Sequence, residues 1–124
     1  ARNVAIEADV SFHDAGAPAL VFRVEEDGGI AHGMCAVVVS ARGVLLWRLL
    51  DDRWSLVSEV RKPVAADAVH VLRVVARGDT IAVSLNGKRL IRTRGRMLRG
   101  RGLVGILGRD GPCRFYAVRA RALD

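Results

Sequence analysis

Apolar and polar positions alternate along most of this chain, most clearly over residues 69–91, VHVLRVVARGDTIAVSLNGKRLI. A period of two places successive side chains on opposite faces of a β-strand. Gly78-Asp79 and Asn86-Gly87 interrupt the pattern, and both residues of the second pair tolerate the positive φ that a two-residue hairpin turn requires. The segment therefore predicts three antiparallel strands joined by two tight turns.

The same alternation recurs in seven further segments, which gives about ten strands in all. These segments are Val4 to Phe12, Leu20 to Val24, Met34 to Ser40, Val44 to Leu50, Arg53 to Val60, Leu103 to Leu107 and Arg114 to Ala122. Residues 26–33 are predicted to form a polar loop, and no window has a sustained helical period. Even strand lengths with turn signals about every 8–12 residues are typical of a sandwich. We therefore predict an all-β fold, an antiparallel β-sandwich.

Length and composition favour one domain with a substantial core. The chain has 124 residues, of which 51% are apolar, so a single domain over residues 1–124 is expected. The longest apolar run is only a handful of residues, which predicts no membrane span. The chain begins at Ala1 without a leader-like segment, so we expect either a removed leader or a piece of a longer protein. Arginine greatly outnumbers lysine, a bias typical of a GC-rich bacterial genome.

Positive charge is concentrated in the last third of the chain. Residues 88–124 hold eleven basic and two acidic side chains, whereas residues 1–87 hold nine basic and eleven acidic ones. Because guanidinium groups form forked hydrogen bonds with sulfate, phosphate and carboxylate, the basic segment 88–101 predicts a site for acidic polymers. The candidate anion-binding residues are Arg92, Arg94, Arg96 and Arg99. The alternative is a solvated strand edge whose charge discourages pairing with another strand. Few aromatics interleave, so nucleic acid is not a predicted partner.

The two cysteines, Cys35 and Cys113, each lie near the start of a predicted strand. A disulfide between them would close a loop of 78 residues and contribute about 4–5 kcal/mol in the chain-entropy model. The alternative is two buried thiols that fill small sites in the core. His32 and Cys35 have a ligand-like gap, but no second pair with such spacing exists, so no metal site is predicted.

Six segments in order, LVFRV, AVVV, VLLWRL, HVLRVVARGDTIAVSLNG, GLVGILG and RFYAVR, resemble the concanavalin A-like jelly roll. The resemblance covers nearly the whole chain and is closest to the non-catalytic, laminin-G-like sandwich modules of fructan-active glycoside hydrolases. Its most specific part is the run L-x-V-x-A-x-G-D-x-I-x-V-x-x-N-G followed by a glycine-flanked strand. The resemblance implies a lectin-like jelly roll whose ligand is a glycan.

The resemblance also implies where a glycan binds. In the fructan-binding relatives, the arginine of the GLVFR-like strand points onto the sheet face that meets sugar, and Arg23 matches it. Strand alternation likewise turns Arg23 outward, and we expect Arg23→Ala to weaken glycan binding without lowering the melting temperature. The other candidate ligand-binding residues were chosen by strand face or because they lie in a nearby loop. They are Glu25, Asp27, Trp47 and Arg48. The alternative is an ordinary ion pair between Arg23 and Glu25, with Trp47 in the core.

Catalysis is not predicted. The β-glucanases of the resembled family carry Glu-x-Asp-x-x-Glu or Glu-x-Asp-x-Glu on one strand, with the acid and nucleophile close together for retaining chemistry. Here Glu7 and Asp9 share a face, but Ser11 and Phe12 occupy the positions of the last carboxylate. No serine has the context of a nucleophile elbow. His70 has the parity of core-facing residues, so we expect it to be half-buried and hydrogen-bonded.

The expected function is therefore a non-catalytic carbohydrate-binding module of a larger carbohydrate-active or cell-surface protein, located outside the cell or on its surface. A protein-interaction or structural domain, and binding of acidic polymers through residues 88–101, are the alternatives. No cofactor is expected. Family members often hold a structural calcium through an Asp after the Phe of the last strand, but here Tyr116 follows Phe115, and calcium stays an open alternative.

Overall fold

Ten β-strands make up most of the chain. The computed structural model describes residues 3–27, 30–98, 100 and 102–123, without the side chains of residues 26, 27, 30, 31 and 97. The strands of this part are β1 (Val4–Phe12), β2 (Ala17–Asp27), β3 (Ile30–Ser40), β4 (Gly43–Leu50), β5 (Arg53–Arg61), β6 (His70–Arg77), β7 (Thr80–Leu85), β8 (Lys88–Arg94), β9 (Leu103–Arg109) and β10 (Cys113–Ala122). One turn of 3-10 helix, Arg96–Leu98, lies between β8 and β9.

The strands form two antiparallel sheets of five. Sheet A has the order β10-β1-β6-β7-β8, and sheet B has the order β5-β4-β3-β2-β9. The prediction of an all-β antiparallel sandwich is confirmed. None of the helical structure in the described part of the chain is long and apolar enough to cross a membrane.

One apolar layer between the sheets holds the fold together. Alternate side chains of β1, β6 and β7 face those of β2, β3 and β4, as period-two patterning requires. The fully buried aliphatic and aromatic side chains of this layer include Val10, Leu20, Phe22, Val37, Val39, Leu46, Leu72, Val74, Ile81 and Val83. Each contributes about 1.5–3 kcal/mol by leaving water, so the layer is the main source of stability.

Two hairpin turns have the backbone that their residues favour. Asn86 and Gly87 have φ of 53° and 82°, and Asp51 and Asp52 have φ of 50° and 62°. Two successive residues with positive φ match the right-handed twist of the paired strands. Asn86 also accepts a hydrogen bond from the backbone nitrogen of Val71 through Oδ1 at 2.8 Å. The prediction of a tight turn at Asn86-Gly87 is confirmed.

His70 is buried and hydrogen-bonded, more completely than the predicted half-burial. Its Nε2 donates to the carbonyl oxygen of Ala65 at 2.7 Å, and its Nδ1 accepts from the side-chain amide of Asn86 at 3.0 Å. The ring of Phe12 stacks against the imidazole, with 6.3 Å between centroids. His70 is therefore a structural residue that fixes the connection before β6.

The predicted polar loop at residues 26–33 is wrong. β2 continues to Asp27 and β3 begins at Ile30, with Glu25 opposite Gly33, Glu26 opposite Ala31 and Asp27 opposite Ile30. The backbone ladder satisfies the peptide groups of these paired residues whatever the polarity of the side chains. The polar composition of this segment was therefore not sufficient evidence for a loop.

Both cysteines are free thiols, so the disulfide alternative is not realised. Cys35 is buried in sheet B, whereas Cys113 is half-buried at the start of β10 in sheet A. Burial raises the pKa of the Cys35 thiol, which keeps that group protonated at neutral pH.

A thiol reagent should distinguish the two cysteines. In the native protein we expect one thiol, Cys113, to react with an aromatic disulfide reagent, and both thiols to react in guanidinium. Cys113→Ser should abolish the native reaction and leave the denatured one. Rapid native labelling of Cys35 would contradict its burial.

Candidate functional site

Arg23, the residue expected to contact sugar, points into the sandwich. Its side chain is fully buried, and its φ is +53°. The pairing of β2 shifts register on both sides here, between Phe22 and Glu25 against β3 and between Val21 and Val24 against β9. This β-bulge adds a residue to the strand and turns Arg23 inward. The predicted outward orientation of Arg23 is therefore wrong, whereas its role in ligand binding stays a prediction.

The buried end of Arg23 lies in a small polar cluster. Its Nη1 donates to the carbonyl oxygen of Leu98 in the 3-10 turn. Arg48 of β4 is also inward-facing and only 3% exposed, and its Nη1 donates to Sγ of Cys35 at 3.5 Å. Burial lowers the pKa of Arg23, and the nearby charge of Arg48 lowers it further. The sheet register brings these residues together. Arg48 lies opposite Cys35, and Cys35 lies opposite Phe22, the residue before Arg23.

Of the other predicted ligand-binding residues, Glu25 lies near Arg23, whereas Trp47 does not. Glu25 is exposed, and a Cβ added at Gly100 would lie 3.4 Å from Glu25 Oε1 and 3.6 Å from Arg23 Cβ. Trp47 lies on the opposite, outer face of sheet B, half-buried against Val38 and its neighbours, so it neither joins Arg23 nor fills the main core. The side chain of Asp27 lies outside the described residues. The structure thus brings Arg23 and Arg48 together and leaves Trp47 apart.

Arg23→Ala should destabilise the protein. The change leaves the Leu98 carbonyl without this donor and opens a cavity, so we expect the free energy of unfolding to fall by about 2 kcal/mol or more. Urea unfolding measures it, with exposed Glu25→Ala as the control that changes stability by less than about 0.5 kcal/mol. Equal stability of Arg23→Ala and the parent would contradict the buried position.

The predicted anion-binding residues divide between two elements. Arg92 and Arg94 lie on the outer face of β8, and Arg94 Nε is 3.2 Å from Asp79 Oδ1. Arg96 is exposed in the 3-10 turn, and Arg99 lies outside the described residues. No group of three or more potential metal ligands occurs among the described residues.

An open cleft of about 480 Å³ lies at the other end of the sandwich. We call it the end cleft; its polar lining comes from Ser11, His13, Asp67, Arg114 and Tyr116. These residues belong to the end of β1, the connection before β6 and the start of β10. Two backbone hydrogen bonds join the three segments, from Asp67 N to Phe12 O at 2.8 Å and from His13 N to Pro112 O at 3.0 Å.

His13 lies between two carboxylates on one wall of the end cleft. Its Nδ1 is 2.8 Å from Asp67 Oδ1, and its Nε2 is 3.2 Å from Asp14 Oδ2. The hydrogen bond to Asp67, followed by the charge of Asp14, raises the pKa of the imidazole. A protonated His13 donates through both ring nitrogens and fixes the Asp67 carboxylate at the cleft.

Tyr116 supplies the aromatic surface of the end cleft. The register of β10 against β1 shifts between Asp9 and Val10, which leaves Tyr116 as the extra residue of a bulge. Its side chain is 55% exposed, and its hydroxyl lies 3.2 Å from Ser11 Oγ. Arg114 is exposed beside it. An exposed ring next to hydroxyl, carboxylate and guanidinium groups is suited to a molecule with an apolar face and a polar edge.

In the described lining of the end cleft, neither Ser11 nor Cys113 is hydrogen-bonded to an imidazole. Cys113 lines the end cleft, but its Sγ donates to the carbonyl oxygen of Gly111 at 3.5 Å rather than to an imidazole. Glu7 and Asp9 lie instead on the outer face of sheet A, where Arg119 Nη2 contacts both, at 3.5 and 3.7 Å.

Sequence patterns did not indicate the end cleft because its residues come from three distant segments. Neither His13 nor Asp67 belongs to a recognisable sequence motif, and Tyr116 stood out only as a departure from a calcium motif. The bulge that exposes Tyr116 leaves no trace in the alternation. The one available signal was the aromatic pair Phe115-Tyr116, which follows Arg114 near a strand start.

The fold is shared with proteins of known structure, although no family model and no curated protein matches the chain. The carbohydrate-binding module CBM66 from Bacillus subtilis superposes with a TM-score of 0.87 at 21% identity, over 98% of this chain and 76% of that one. Sheep galectin-11 in complex with glycerol gives a TM-score of 0.69 at 12% identity, over 98% and 91%. A tetrameric galectin from the ball sponge Cinachyrella gives 0.67 at 15%, over 97% and 92%. The chain therefore has the lectin-like jelly-roll fold.

Protonation of His13 should stabilise the wall of the end cleft. Because its pKa is raised on folding, the stabilisation is fully present below the ordinary value of about 6.5 and is lost as pH rises through the raised one. The melting temperature of the parent should exceed that of His13→Gln by more at pH 6 than at pH 9. Asp67→Asn should remove most of this pH dependence. A difference that is equal at both pH values would contradict the ion pair.

Proposed function

We propose that this chain is a non-catalytic carbohydrate-binding module that holds sugar in the end cleft. The observation that carries the proposal is the exposed ring of Tyr116 beside Ser11, Asp67 and Arg114. The lectin-like fold supports it, since the structural neighbours include a carbohydrate-binding module. Attachment to a larger carbohydrate-active or cell-surface protein outside the cell, and kinship with fructan-active modules, form part of the same proposal.

The chemistry of the end cleft matches that of a sugar. The C–H face of a pyranose or furanose ring packs on the Tyr116 ring, which is worth about 0.5–1.5 kcal/mol beyond area burial in comparable aromatic contacts. Sugar hydroxyls donate to the Asp67 carboxylate and accept from the Arg114 guanidinium. Hydrogen bonds to charged groups contribute about 1.5–3 kcal/mol each. Because the cleft is small and open, we expect it to bind single sugars with modest affinity.

A second candidate function, protein interaction, is supported by edge strand β9. Four neighbouring apolar side chains there are exposed: Leu103, Val104, Ile106 and Leu107. In the described part of the chain, β9 pairs on one side only, with β2. An exposed apolar edge strand is a template for another strand. The laminin-G-like alternative from the sequence would use such a surface.

A glycan panel tests the proposed function. By titration calorimetry we expect at least one neutral oligosaccharide to bind, and Tyr116→Ala to weaken it by about tenfold or more while the melting temperature holds. Tyr116→Phe should retain most of the affinity, because the ring is kept. Trp54→Ala removes a similarly exposed ring, 46% exposed on β5, and should leave the affinity unchanged.

Two results would contradict this function. One is the absence of heat from every glycan, and the other is an equal loss in Tyr116→Ala and Trp54→Ala. Absence of heat combined with concentration-dependent sedimentation would favour the protein-interaction function instead.

A further inference from the structure

The outer face of sheet A collects arginines that are far apart in the sequence. They come from β6, β8 and β10, which the sheet order brings side by side with β1 and β7. We call this surface the arginine groove and define it by Arg73, Arg89, Arg92, Arg119 and Arg121. Of the predicted anion-binding residues, only Arg92 belongs to the arginine groove. The sequence therefore indicated only the β8 edge of the groove.

Two cross-strand rows build the arginine groove. The first row runs across all five strands as Arg119, Glu7, Arg73, Ser84 and Arg89. The second row runs as Arg121, Ala5, Val75, Ala82 and Arg92. Strands are about 4.8 Å apart, so the outer arginines of each row lie about 19 Å apart at their backbones. In the second row, long guanidinium side chains therefore border a floor of short ones.

The floor of the groove contains a small depression. A cavity of about 200 Å³ lies between Ala5, Glu7, Arg73, Arg119 and Arg121. The side chains of the second row between its two arginines are aliphatic and short, so a chain lying across the strands can approach the sheet closely.

Most of the positive charge of the groove is uncompensated. Arg119 contacts Glu7 and Asp9, at 3.5 and 3.7 Å. Among the residues that the structure describes, Arg73, Arg89, Arg92 and Arg121 form no ion pair, and all four are exposed. Closely spaced like charges raise the local potential and attract anions.

Protection of sheet edges does not explain the arginine groove. Charged side chains on edge strands β8 and β10 discourage pairing with other strands. Arg73, however, lies on the central strand β6, which pairs with β1 and β7 on its two sides. Its exposed guanidinium faces outward in the middle of the sheet, between the two edges.

We propose that the arginine groove binds a linear acidic polysaccharide, one carrying sulfate or carboxylate groups. Planar guanidinium groups bind both anions through paired hydrogen bonds. The arginines at the two ends of each row can engage a chain that lies across the strands. The two rows contain no aromatic side chain on which nucleic-acid bases would stack, which disfavours single-stranded nucleic acid. The floor presents no large apolar side chain for insertion into a membrane.

Heparin binding tests the proposal. We expect heparin fragments to bind with an affinity that falls steeply with salt, and neutral dextran not to compete. The double variant Arg92→Ala/Arg121→Ala, which changes both rims of one row, should weaken binding at least tenfold. It should also reduce the slope of log affinity against log salt by about two, as for loss of two charge contacts. Arg73→Ala, in the middle of the sheet, should weaken binding severalfold.

The matched control is Arg42→Ala/Arg53→Ala, which removes the same charge from exposed positions beside and on sheet B. It should change heparin affinity by less than about twofold. An equal loss in both double variants would overturn the proposal, because net charge alone would then explain the binding. Tighter binding of a single-stranded oligonucleotide than of heparin at the same salt would also overturn it, in favour of nucleic acid.

The arginine groove and the end cleft are tested separately. Tyr116→Ala should leave heparin binding unchanged, and Arg92→Ala/Arg121→Ala should leave binding of the neutral oligosaccharide unchanged. Loss of heparin binding in Tyr116→Ala would overturn the assignment of the acidic polymer to the groove. Failure of the neutral panel alone would count against the end cleft only.

Discussion

The apolar layer between sheets A and B is the constraint on which the rest of the structure depends. Leu20, Val37 and Leu46 of one sheet pack towards Leu72 and Val74 of the other, all fully buried. This layer takes every second side chain of the central strands. A binding site can therefore form in only two kinds of place. These are the outer faces of the sheets and the ends of the sandwich, where turns and connections meet. The end cleft and the arginine groove occupy one of each.

The buried arginine at the bulge is the main exception to this separation. A non-glycine residue with positive φ costs about 1–2 kcal/mol, and Arg23 also loses its hydration. Its hydrogen bond to Leu98 offsets part of the cost and ties the 3-10 turn to β2. Arg48 and Cys35 share the same interior region. The structural importance of Arg23 is therefore clear, and a contact with ligand would require movement of what covers it.

Period two was enough to predict the strands, the Asn86-Gly87 turn and the inward position of His70, because each depends on neighbouring residues. Register-dependent features were not predictable in this way. The bulge at Arg23 reverses the face of one residue without changing the pattern, and residues 25–27 are polar yet paired with β3. The end cleft depends on the meeting of residues 11–13, 67–69 and 112–116, which only the sheet order determines.

The two proposed sites lie on separate surfaces, and together they would let one small domain recognise a polymer in two ways, through an aromatic cleft for ring faces and a charged groove for acidic substituents. A backbone amide NMR titration of the whole chain with a bound neutral oligosaccharide tests the central claim most directly. The largest shift changes should fall at residues 11–13, 67–69 and 114–116. Changes centred on the outer face of sheet B, or around Arg23, with none at the end cleft, would contradict the account.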